Sequence, residues 1–219
     1  MTDGIILIDK PVDMTSFGVV ARVRRVLTQQ AGKKIKVGHT GTLDPFATGL
    51  MILVIGKECK NAGTYTKLDK VYEATVRLGQ TSTTGDPEGE VTDVSANQPS
   101  MAEIKKVTER FTGEILQRPP IFSAIKINGE RAYKLARNGE EIEIPERNVT
   151  VFSLEIIDYS YPELKIRTHV SSGTYIRSLA ADIGAALGTG AYCTQLRRLS
   201  INKWTIAEAQ TLESLGITT

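Results

Sequence analysis

GHTGTLDPFATGL, from Gly38 to Leu50, is the segment around which this chain is organised. Its three glycines are spaced too densely for a long helix or strand, so we expect a tight loop. The apolar run Leu50–Ile55 follows at once and predicts a buried strand, so the loop leads directly into the core. Such a loop can hold Asp44 rigidly yet accessible, and Pro45 stiffens it by restricting its own φ and biasing Asp44 toward extended geometry.

Three other interpretations of this loop compete with an active site. An Asp before a Pro is a common turn former with no chemical role. A glycine-rich loop could cradle phosphate, but the lysine and hydroxyl of a P-loop are missing because Lys57 is followed by Glu58. A metal site is disfavoured, since the chain has two histidines, His39 and His169, and two cysteines that form no close-spaced pair.

Composition is typical of an ordinary globular protein. The chain has 219 residues, of which 41% are hydrophobic and 24% charged, and this suits one large domain or two small ones. No apolar run approaches membrane-spanning length, and an acidic residue before a short apolar run at the N-terminus does not fit a secretory signal. Two cysteines far apart in sequence predict free thiols in a reducing cytoplasm, so we expect a cytoplasmic protein.

The distribution of charge favours a surface that binds a polyanion. The net charge is only +2, so charge alone does not identify a nucleic-acid binder. Basic residues nevertheless cluster at both ends of the chain, and acidic residues cluster in the middle. The clusters are Arg22, Arg24, Arg25, Lys33, Lys34 and Lys36, then Arg197, Arg198 and Lys203, and the acidic Asp86, Glu88, Glu90 and Asp93. A charge run is often only a solvated face, but segregation of sign favours polyanion binding.

Helix signals and strand signals together predict an α+β fold. Thr15 or Ser16 can cap a helix that runs through Leu27. The predicted inward stripe of that helix is Phe17, Val20, Val23 and Leu27. Ser100-Met-Ala-Glu103 is a capping box that predicts a helix to about Phe111, Thr174 is predicted to cap a helix to Leu187, and a final helix is predicted at Thr205–Leu215. Strands outnumber helices and are mostly joined by short links, so we expect a mixed, largely antiparallel central sheet flanked by helices.

The loop GHTGTLDPFATGLM closely resembles the catalytic loop of the TruB family of tRNA pseudouridine synthases. Later segments resemble the same family in the same order, which is far more specific than one motif. They are KVYEATVRLG at Lys70–Gly79, RPPIFSAIKINGERAYKLAR at Arg118–Arg137, SSGTYIRSLAADIG at Ser171–Gly184 and LRRL at Leu196–Leu199. The resemblance implies the pseudouridine synthase fold, with the active site in a cleft across the sheet.

The resemblance also implies a domain organisation. We expect residues 1–219 to form a single pseudouridine synthase catalytic domain with an RNA-clamping insertion at about 118–147. Bacterial members usually carry a small C-terminal RNA-binding PUA domain, which we do not expect here, whether the chain is a naturally short form or a shortened one. The basic segment Arg118–Arg147 is divided by turns, so we expect it to be mobile in the free protein, most of all near Lys126–Gly139, and to close over bound RNA.

The implied activity is isomerisation of uridine to pseudouridine in the T-loop of tRNA, at position 55. The glycosidic bond from C1′ to N1 breaks, the base turns, and it is rejoined through C5. No redox change occurs, so we expect no cofactor and no metal. The ionised carboxylate of Asp44 is the nucleophile or anion, and whether it attacks the ribose, attacks the base or assists an elimination stays open. The target base is stacked inside the loop, so it must be flipped out.

The resemblance assigns roles to five further residues. Arg177 matches the arginine partner of the aspartate, and a guanidinium beside a carboxylate favours the anion. Tyr72 matches an active-site tyrosine that can stack on the base, and Tyr175 and Leu196 match positions lining the uracil pocket. His39 matches the residue that contacts displaced T-loop nucleotides. Taken without the resemblance, each could be structural: a surface arginine, core side chains, or a histidine bonded within its loop.

The leading hypothesis is therefore a monomeric enzyme that binds the T-arm of tRNA, with no membrane and no obligate protein partner. A second hypothesis is an RNA chaperone that opens and refolds the tRNA elbow, with catalysis secondary or absent. The set of Asp44, Tyr72 and Arg177 argues against pure binding. A third is a hydrolase that uses Asp44 on another substrate, and no water-activating base or metal set in the sequence supports it.

Overall fold

The computed structural model, which describes residues 2–123, 125–127, 129–138 and 143–217, mixes strands and helices along the chain. The strands are β1 (Gly4–Lys10), β2 (Val37–His39), β3 (Thr48–Ile55), β4 (Lys70–Leu78), β5 (Gln80–Ser82), β6 (Val91–Asp93), β7 (Gly113–Gln117), β8 (Lys126–Ile127), β9 (Glu130–Arg131), β10 (Arg147–Ser160), β11 (Glu163–Val170), β12 (Ala191–Ile201) and β13 (Trp204–Thr205). The α-helices are α1 (Ser16–Ala31), α2 (Ala62–Thr66), α3 (Met101–Glu109), α4 (Ala132–Arg137) and α5 (Ile176–Ala186). Short 3₁₀ helices cover Gly56–Asn61, Ile206–Glu208 and Glu213–Leu215.

Most of the strands belong to one sheet with the order β1-β3-β12-β4-β11-β10-β7, in which β2 also pairs with β3 and β13 with β12. Strand β3 is antiparallel to β1 and β2, and β10 is antiparallel to β7 and β11. Strands β3 and β12 run parallel, with Thr48 opposite Arg197 and Gly49 opposite Arg198. The predicted mixed, largely antiparallel sheet is therefore confirmed, and with it the α+β class.

Contacts divide the described chain into two compact units. Unit 1 comprises Met1–Tyr72 and Arg197–Thr219, and unit 2 comprises Glu73–Leu196. Strands β4 and β12 each contribute residues to both units, and the Asp44 loop belongs to unit 1. None of the helices in the described part of the chain is long and apolar enough to cross a membrane.

The core of unit 1 is built around β3. Every residue from Leu50 to Ile55 is at most 1% exposed, so the predicted buried strand is confirmed. Leu50 and Ile52 pack with Ile201, and the partly buried ring of Trp204 covers this cluster. Burial of each such aliphatic side chain stabilises the fold by about 1.5–3 kcal/mol. The loop that carries Asp44 therefore leads into the most deeply buried strand of its unit.

Helix α1 begins where the sequence predicts, but its inward face is partly different. The Thr15 hydroxyl accepts a hydrogen bond from the Gly18 N–H (3.0 Å), which caps the helix. Val20, Val23 and Leu27 are buried as predicted. Phe17 is 64% exposed, so the prediction that it faces inward is wrong. Ser16 lies on the buried face with these residues, and at 100° per residue the next side chain, Phe17, lies about 100° away from that face.

Two further helix starts were predicted from side chains, and one of them is right. At α3, Glu103 N–H donates to the Ser100 hydroxyl and the Glu103 carboxylate accepts from Ser100 N–H, which completes the capping box. At α5, the predicted Thr174 cap is wrong, because its hydroxyl instead donates to the Ser171 carbonyl oxygen (3.0 Å). The helix begins one residue later, with Tyr175 as its N-cap.

The predicted final helix at Thr205–Leu215 is also wrong. Two separate 3₁₀ helices occupy this range, and between them Gln210 pairs with β1. The Gln210 N–H donates to the Leu7 carbonyl oxygen, and the Asp9 N–H donates to the Gln210 carbonyl oxygen, both at 2.9 Å. β1 is the edge strand of the sheet order, so its outer backbone groups would lack partners without this segment. The hydrogen bonds gained by pairing with β1 outweigh local helix propensity.

Gly49 is required where β3 meets β12. Its φ is +106°, and a Cβ there would lie 2.3 Å from the carbonyl oxygen and 2.6 Å from the nitrogen of Arg198. The obstructing atoms belong to the backbone of Arg198, which cannot move away as a flexible side chain could. Any side chain at this position would force the parallel pair apart directly behind the Asp44 loop.

We predict that Gly49→Ala lowers the free energy of unfolding by at least about 2 kcal/mol, because it adds backbone strain to a steric clash. The matched control is Gly63→Ala, since Gly63 lies in α2 and a Cβ there meets nothing within 4 Å. Replacing a helical glycine with alanine should be neutral or stabilise by about 0.5–1 kcal/mol. Urea unfolding of the two variants checks this, and equal stabilities would contradict the packing described here.

Candidate functional site

A buried lysine holds the loop that carries Asp44. Lys10 is fully buried at the end of β1, and its ammonium donates to the carbonyl oxygens of Pro11 (2.8 Å), Met14 (2.6 Å) and Pro45 (3.1 Å). A buried ammonium needs an acceptor for each of its three N–H groups, and these three carbonyls supply them. Pro45 directly follows Asp44, so Lys10 restrains the backbone on the C-terminal side of that residue.

The first residue of α1 holds the other side of the loop. The buried Ser16 hydroxyl donates to the Leu43 carbonyl oxygen and accepts from the Leu43 N–H, both at 2.8 Å. Within the loop, the Ala47 N–H donates to the Asp44 carbonyl oxygen at 3.1 Å. Asp44 itself is partly exposed. The backbone is thus restrained on both sides of an accessible carboxylate, as the sequence predicts.

A second buried cation holds the glycine-rich part of the loop. Arg198 is 1% exposed, and its Nε donates to the Leu50 carbonyl oxygen at 2.6 Å. Its two terminal nitrogens reach the carbonyl oxygens of Gly41 (3.2 Å) and Thr42 (3.5 Å). One guanidinium therefore ties the start of the loop to the start of the buried strand segment, so Arg198, which sequence analysis places in a basic surface cluster, has a structural role.

Lys70 adds a third buried cation to unit 1. Its ammonium donates to the carbonyl oxygens of Thr66 and Leu68. Burial, and to a smaller extent the positive charge of Arg198, lower the pKa of Lys70 from 10.5 to about 8, while the charge of Asp69 partly opposes both effects. Because the folded pKa lies below the ordinary 10.5, the group opposes folding most strongly below pH about 8 and ceases to do so above about 10.5. It remains mainly protonated at neutral pH.

Two other predicted site residues lie in unit 1 with Asp44. His39 ends β2, is partly buried, and lies opposite Leu53 of the buried strand. Tyr72 lies in β4 and is 7% exposed. Both are therefore carried by strands of the core rather than by mobile segments, and Tyr72 offers only a small accessible area.

Arg177 is a buried guanidinium that makes hydrogen bonds to three residues of unit 2. It is 3% exposed, so the alternative of a surface arginine is wrong. One terminal nitrogen donates to the Thr84 carbonyl oxygen (2.7 Å) and to the Asp86 carboxylate (3.0 Å), and the other donates to the Phe122 carbonyl oxygen (2.7 Å). These bonds compensate the loss of water around the charge and restrict the rotation of its head group.

Asp86 is a residue of this cluster that the sequence interpretation missed. It belongs to the acidic run, yet it is only 4% exposed. Its Oδ1 accepts from the Thr84 hydroxyl (2.5 Å) and from the Glu88 N–H (3.1 Å), while Oδ2 pairs with Arg177. The one available signal was the Thr84-Gly85-Asp86 turn pattern, which does not by itself distinguish a buried carboxylate from a solvated one.

Tyr175 is positioned by a second residue that the sequence interpretation missed. Gln117 is 1% exposed, and its side-chain oxygen accepts from the Tyr175 N–H (2.7 Å) while its amide nitrogen donates to the Tyr175 carbonyl oxygen (3.0 Å). The Arg147 guanidinium lies over the tyrosine ring, with its Cζ 5.2 Å from the centroid. Leu196 of β12 is 8% exposed in the same unit. No motif singles out Gln117 in the sequence.

The predicted site residues thus fall into two groups. Asp44, His39 and Tyr72 belong to unit 1, and Tyr175, Arg177 and Leu196 belong to unit 2. Over the described residues, no group of three or more His, Cys, Asp or Glu side chains is placed to hold a metal ion.

We predict that Gln117→Met lowers the free energy of unfolding by about 1–3 kcal/mol, because the Tyr175 N–H loses the acceptor that the buried Gln117 supplies and the Tyr175 carbonyl oxygen loses one of its donors. Gln29→Met on the exposed face of α1 is the matched control and should change stability by less than about 0.5 kcal/mol. Chemical denaturation measures both. A Gln117→Met variant as stable as the control would show that the two bonds to Tyr175 contribute nothing.

Comparison with known proteins gives one consistent family. Residues 24–176 match the family model described as TruB family pseudouridylate synthase (N terminal domain). A protein of Burkholderia lata named tRNA pseudouridine synthase B is 44% identical over 216 residues, which cover 99% of this chain and 66% of the relative. A protein of Thermobifida fusca with the same name is 44% identical over 225 residues, covering 99% of this chain and 75% of the relative.

Solved structures show the same fold. A chain from a Cbf5-Nop10-Gar1 complex is 30% identical with a TM-score of 0.75, and the match covers 97% of this chain and 53% of that one. A chain from an H/ACA RNP bound to a substrate RNA containing 2′-deoxyuridine is 27% identical with a TM-score of 0.71, covering 96% of this chain and 51% of that one. This chain therefore spans about two thirds to three quarters of the two curated relatives and about half of each solved chain.

Proposed function

This chain belongs to the TruB family of pseudouridylate synthases, and we propose that it isomerises uridine to pseudouridine in the T-loop of tRNA, at position 55. The predicted family and the predicted class of enzyme, a tRNA pseudouridine synthase, are confirmed by these matches. The observation that carries the proposal for this chain is the restrained and accessible carboxylate of Asp44 in a loop that matches the family's catalytic loop.

The reaction conserves every atom of the substrate. The bond between C1′ and N1 breaks, a bond between C1′ and C5 forms, the proton leaves C5, and N1 gains a proton. Neither oxidant nor phosphate donor takes part. The protein must therefore supply an anion beside the sugar and base, a proton acceptor, and a pocket that retains the detached uracil.

Asp44 is assigned as the nucleophile. Its neighbours Leu43 and Pro45 are held by Ser16 and Lys10, so the carboxylate is presented without rearrangement of the backbone. Such preorganisation lowers the barrier because the reacting group is already positioned before the substrate reacts. The requirement for an ionised and fixed carboxylate is the same whether it attacks the ribose, attacks the base or, without acting as a nucleophile, assists an elimination.

The remaining residues are assigned to supporting roles. Arg177 keeps the Asp44 carboxylate ionised, Tyr72 stacks on the flipped base, and Tyr175 and Leu196 line the uracil pocket. His39 contacts the nucleotides displaced by base flipping. Two observations support these assignments: Arg177 is buried, and Gln117 makes two hydrogen bonds to Tyr175. Tyr175 and Arg177 both lie at the start of α5, so these contacts hold the first turn of that helix rigidly.

Residues 118–147 are assigned as an RNA-clamping insertion. Its base is anchored to α5 in unit 2, because the Ser178 hydroxyl donates to the Arg118 carbonyl oxygen (2.8 Å) and Arg177 donates to the Phe122 carbonyl oxygen (2.7 Å). The expected mobile part, Lys126–Gly139, lies partly outside the described residues. We further propose that the protein is a cytoplasmic monomer that acts on the T-arm of tRNA without an obligate protein partner.

The test is incubation of the protein with an unmodified T-arm stem-loop, followed by mapping of pseudouridine. The proposal predicts pseudouridine at the T-loop uridine and at no stem position. Tight binding without any pseudouridine would instead favour an RNA chaperone. Release of free uracil would favour a hydrolase.

We predict that Asp44→Asn abolishes isomerisation and leaves RNA affinity within about tenfold, because the negative charge acts in the chemical step and not in docking. Asp13→Asn is the matched control, since Asp13 is exposed and its backbone N–H bonds the Pro45 carbonyl oxygen of the same loop (2.9 Å). The control should keep the wild-type rate. Single-turnover assays measure the rate of isomerisation in both variants. More than a few per cent of wild-type activity in Asp44→Asn would overturn the nucleophile assignment.

A further inference from the structure

An exposed aromatic ring stands at the start of α1. Phe17 is 64% exposed, and the neighbouring Val12 is 53% exposed. A single exposed apolar side chain is ordinary, so the exposure alone indicates nothing. The ring is, however, not alone, because the Arg24 guanidinium carbon lies over it, 5.9 Å from the centroid. Residues seven apart lie on the same side of a helix, so the pair forms one surface.

The charge of α1 favours a polyanionic partner for this surface. The helix contains Arg22, Arg24 and Arg25 and no acidic residue. Arg25 is exposed to solvent, and the Arg22 guanidinium donates to the Gly18 carbonyl oxygen (3.4 Å). Proteins commonly bind single-stranded nucleic acids with an aromatic ring beside arginines, since the ring stacks on a base and the cations contact phosphates.

The ring also lies near the reacting carboxylate. Phe17 follows Ser16, whose hydroxyl bonds Leu43 at 2.8 Å, and Leu43 precedes Asp44. Covalent geometry along this path limits the distance between the Cα atoms of Phe17 and Asp44 to about 14 Å. A few nucleotides of an extended strand cover that span, so an RNA with its target base at Asp44 brings neighbouring nucleotides within reach of the ring.

We propose that Phe17 and Arg24 form a stacking site for an unpaired base of the substrate RNA, displaced from the loop together with the target uridine. This inference rests on the proposed function and deepens it by assigning a second nucleotide subsite. The base lies against the Phe17 ring, and the exposed Arg25, about 80° around the helix from Phe17, contacts a neighbouring phosphate. The site contributes affinity and register, and takes no part in making or breaking bonds.

The direct test compares Phe17→Ser with Phe152→Ser. Phe152 is 51% exposed on β10 in unit 2, so it controls for the loss of an exposed phenylalanine. We expect Phe17→Ser to weaken binding of a T-arm stem-loop about tenfold and Phe152→Ser to leave it unchanged. Phe17→Trp should restore or exceed wild-type affinity, because a larger ring stacks better. Anisotropy with labelled RNA measures all three, and near-wild-type affinity of Phe17→Ser would overturn the proposal.

The salt dependence separates stacking from charge. Phe17→Ser should lower affinity at every salt concentration without changing the slope of log affinity against log salt, whereas Arg25→Gln should make the slope less steep. A shallower slope in Phe17→Ser would show that the ring acts only by holding Arg24, which also overturns the stacking site.

Abasic substitutions identify the stacked nucleotide. If one unpaired loop position becomes abasic, wild type should lose affinity about tenfold while Phe17→Ser loses none, because the contact is already missing. Equal losses in both proteins at every loop position would contradict the subsite. Failure of the proposed function is distinguishable, since it appears as wild-type protein that forms no pseudouridine, whichever way the Phe17 variants bind.

Discussion

The buried ammonium of Lys10 is the interaction on which the rest of the site depends. It ends β1, and its three bonds gather the carbonyl oxygens of Pro11, Met14 and Pro45 around one charge. The same group therefore joins a strand end, the approach to α1 and the residue after Asp44. Because an unpaired ammonium in the interior would be very unfavourable, all three segments must keep their places for the unit to fold.

Buried cations recur throughout this architecture. The bonds described for Lys10, Lys70 and Arg198 go to backbone carbonyl oxygens, whose partial charges stabilise a cation without cancelling it. Through these bonds the three cations fix backbone segments of unit 1, and Lys10 and Arg198 do so within the Asp44 loop itself. One bond described for Arg177 goes instead to a carboxylate, that of Asp86.

Sequence analysis correctly predicts features that depend on residues close together in the chain. The dense glycines predict the Asp44 loop, the apolar run predicts the buried strand, and Thr15 predicts the start of α1, and the structure confirms each of these. The prediction for Phe17 is wrong because it rests on hydrophobicity alone, whereas the buried position at the start of α1 is taken by the polar Ser16, which bonds Leu43. The prediction of a final helix is wrong because Gln210 pairs with β1, and the free energy gained from this long-range pairing is not part of local helix propensity.

The site itself depends on contacts that no local pattern contains. Gln117 and Tyr175 are 58 positions apart, and Asp86 and Arg177 are 91 positions apart. Neither partner shows a motif that points to the other, so only the fold reveals the pairs. The roles of Tyr72 and Leu196 came from family resemblance and not from the residues, because a buried tyrosine or leucine in a strand is ordinarily core.

The most direct measurement of the central claim, that Lys10 organises the Asp44 loop, is amide hydrogen exchange of residues 40–49 in wild type and Lys10→Met. In wild type the Leu43 and Ala47 amides should be protected, since they bond the Ser16 hydroxyl (2.8 Å) and the Asp44 carbonyl oxygen (3.1 Å). Lys10→Met should accelerate their exchange at least about tenfold, because the carbonyl oxygens of Pro11, Met14 and Pro45 lose the ammonium that holds them together, while the β10–β11 hairpin of unit 2 serves as internal reference. Exchange in this loop that is unchanged relative to the hairpin would contradict the account.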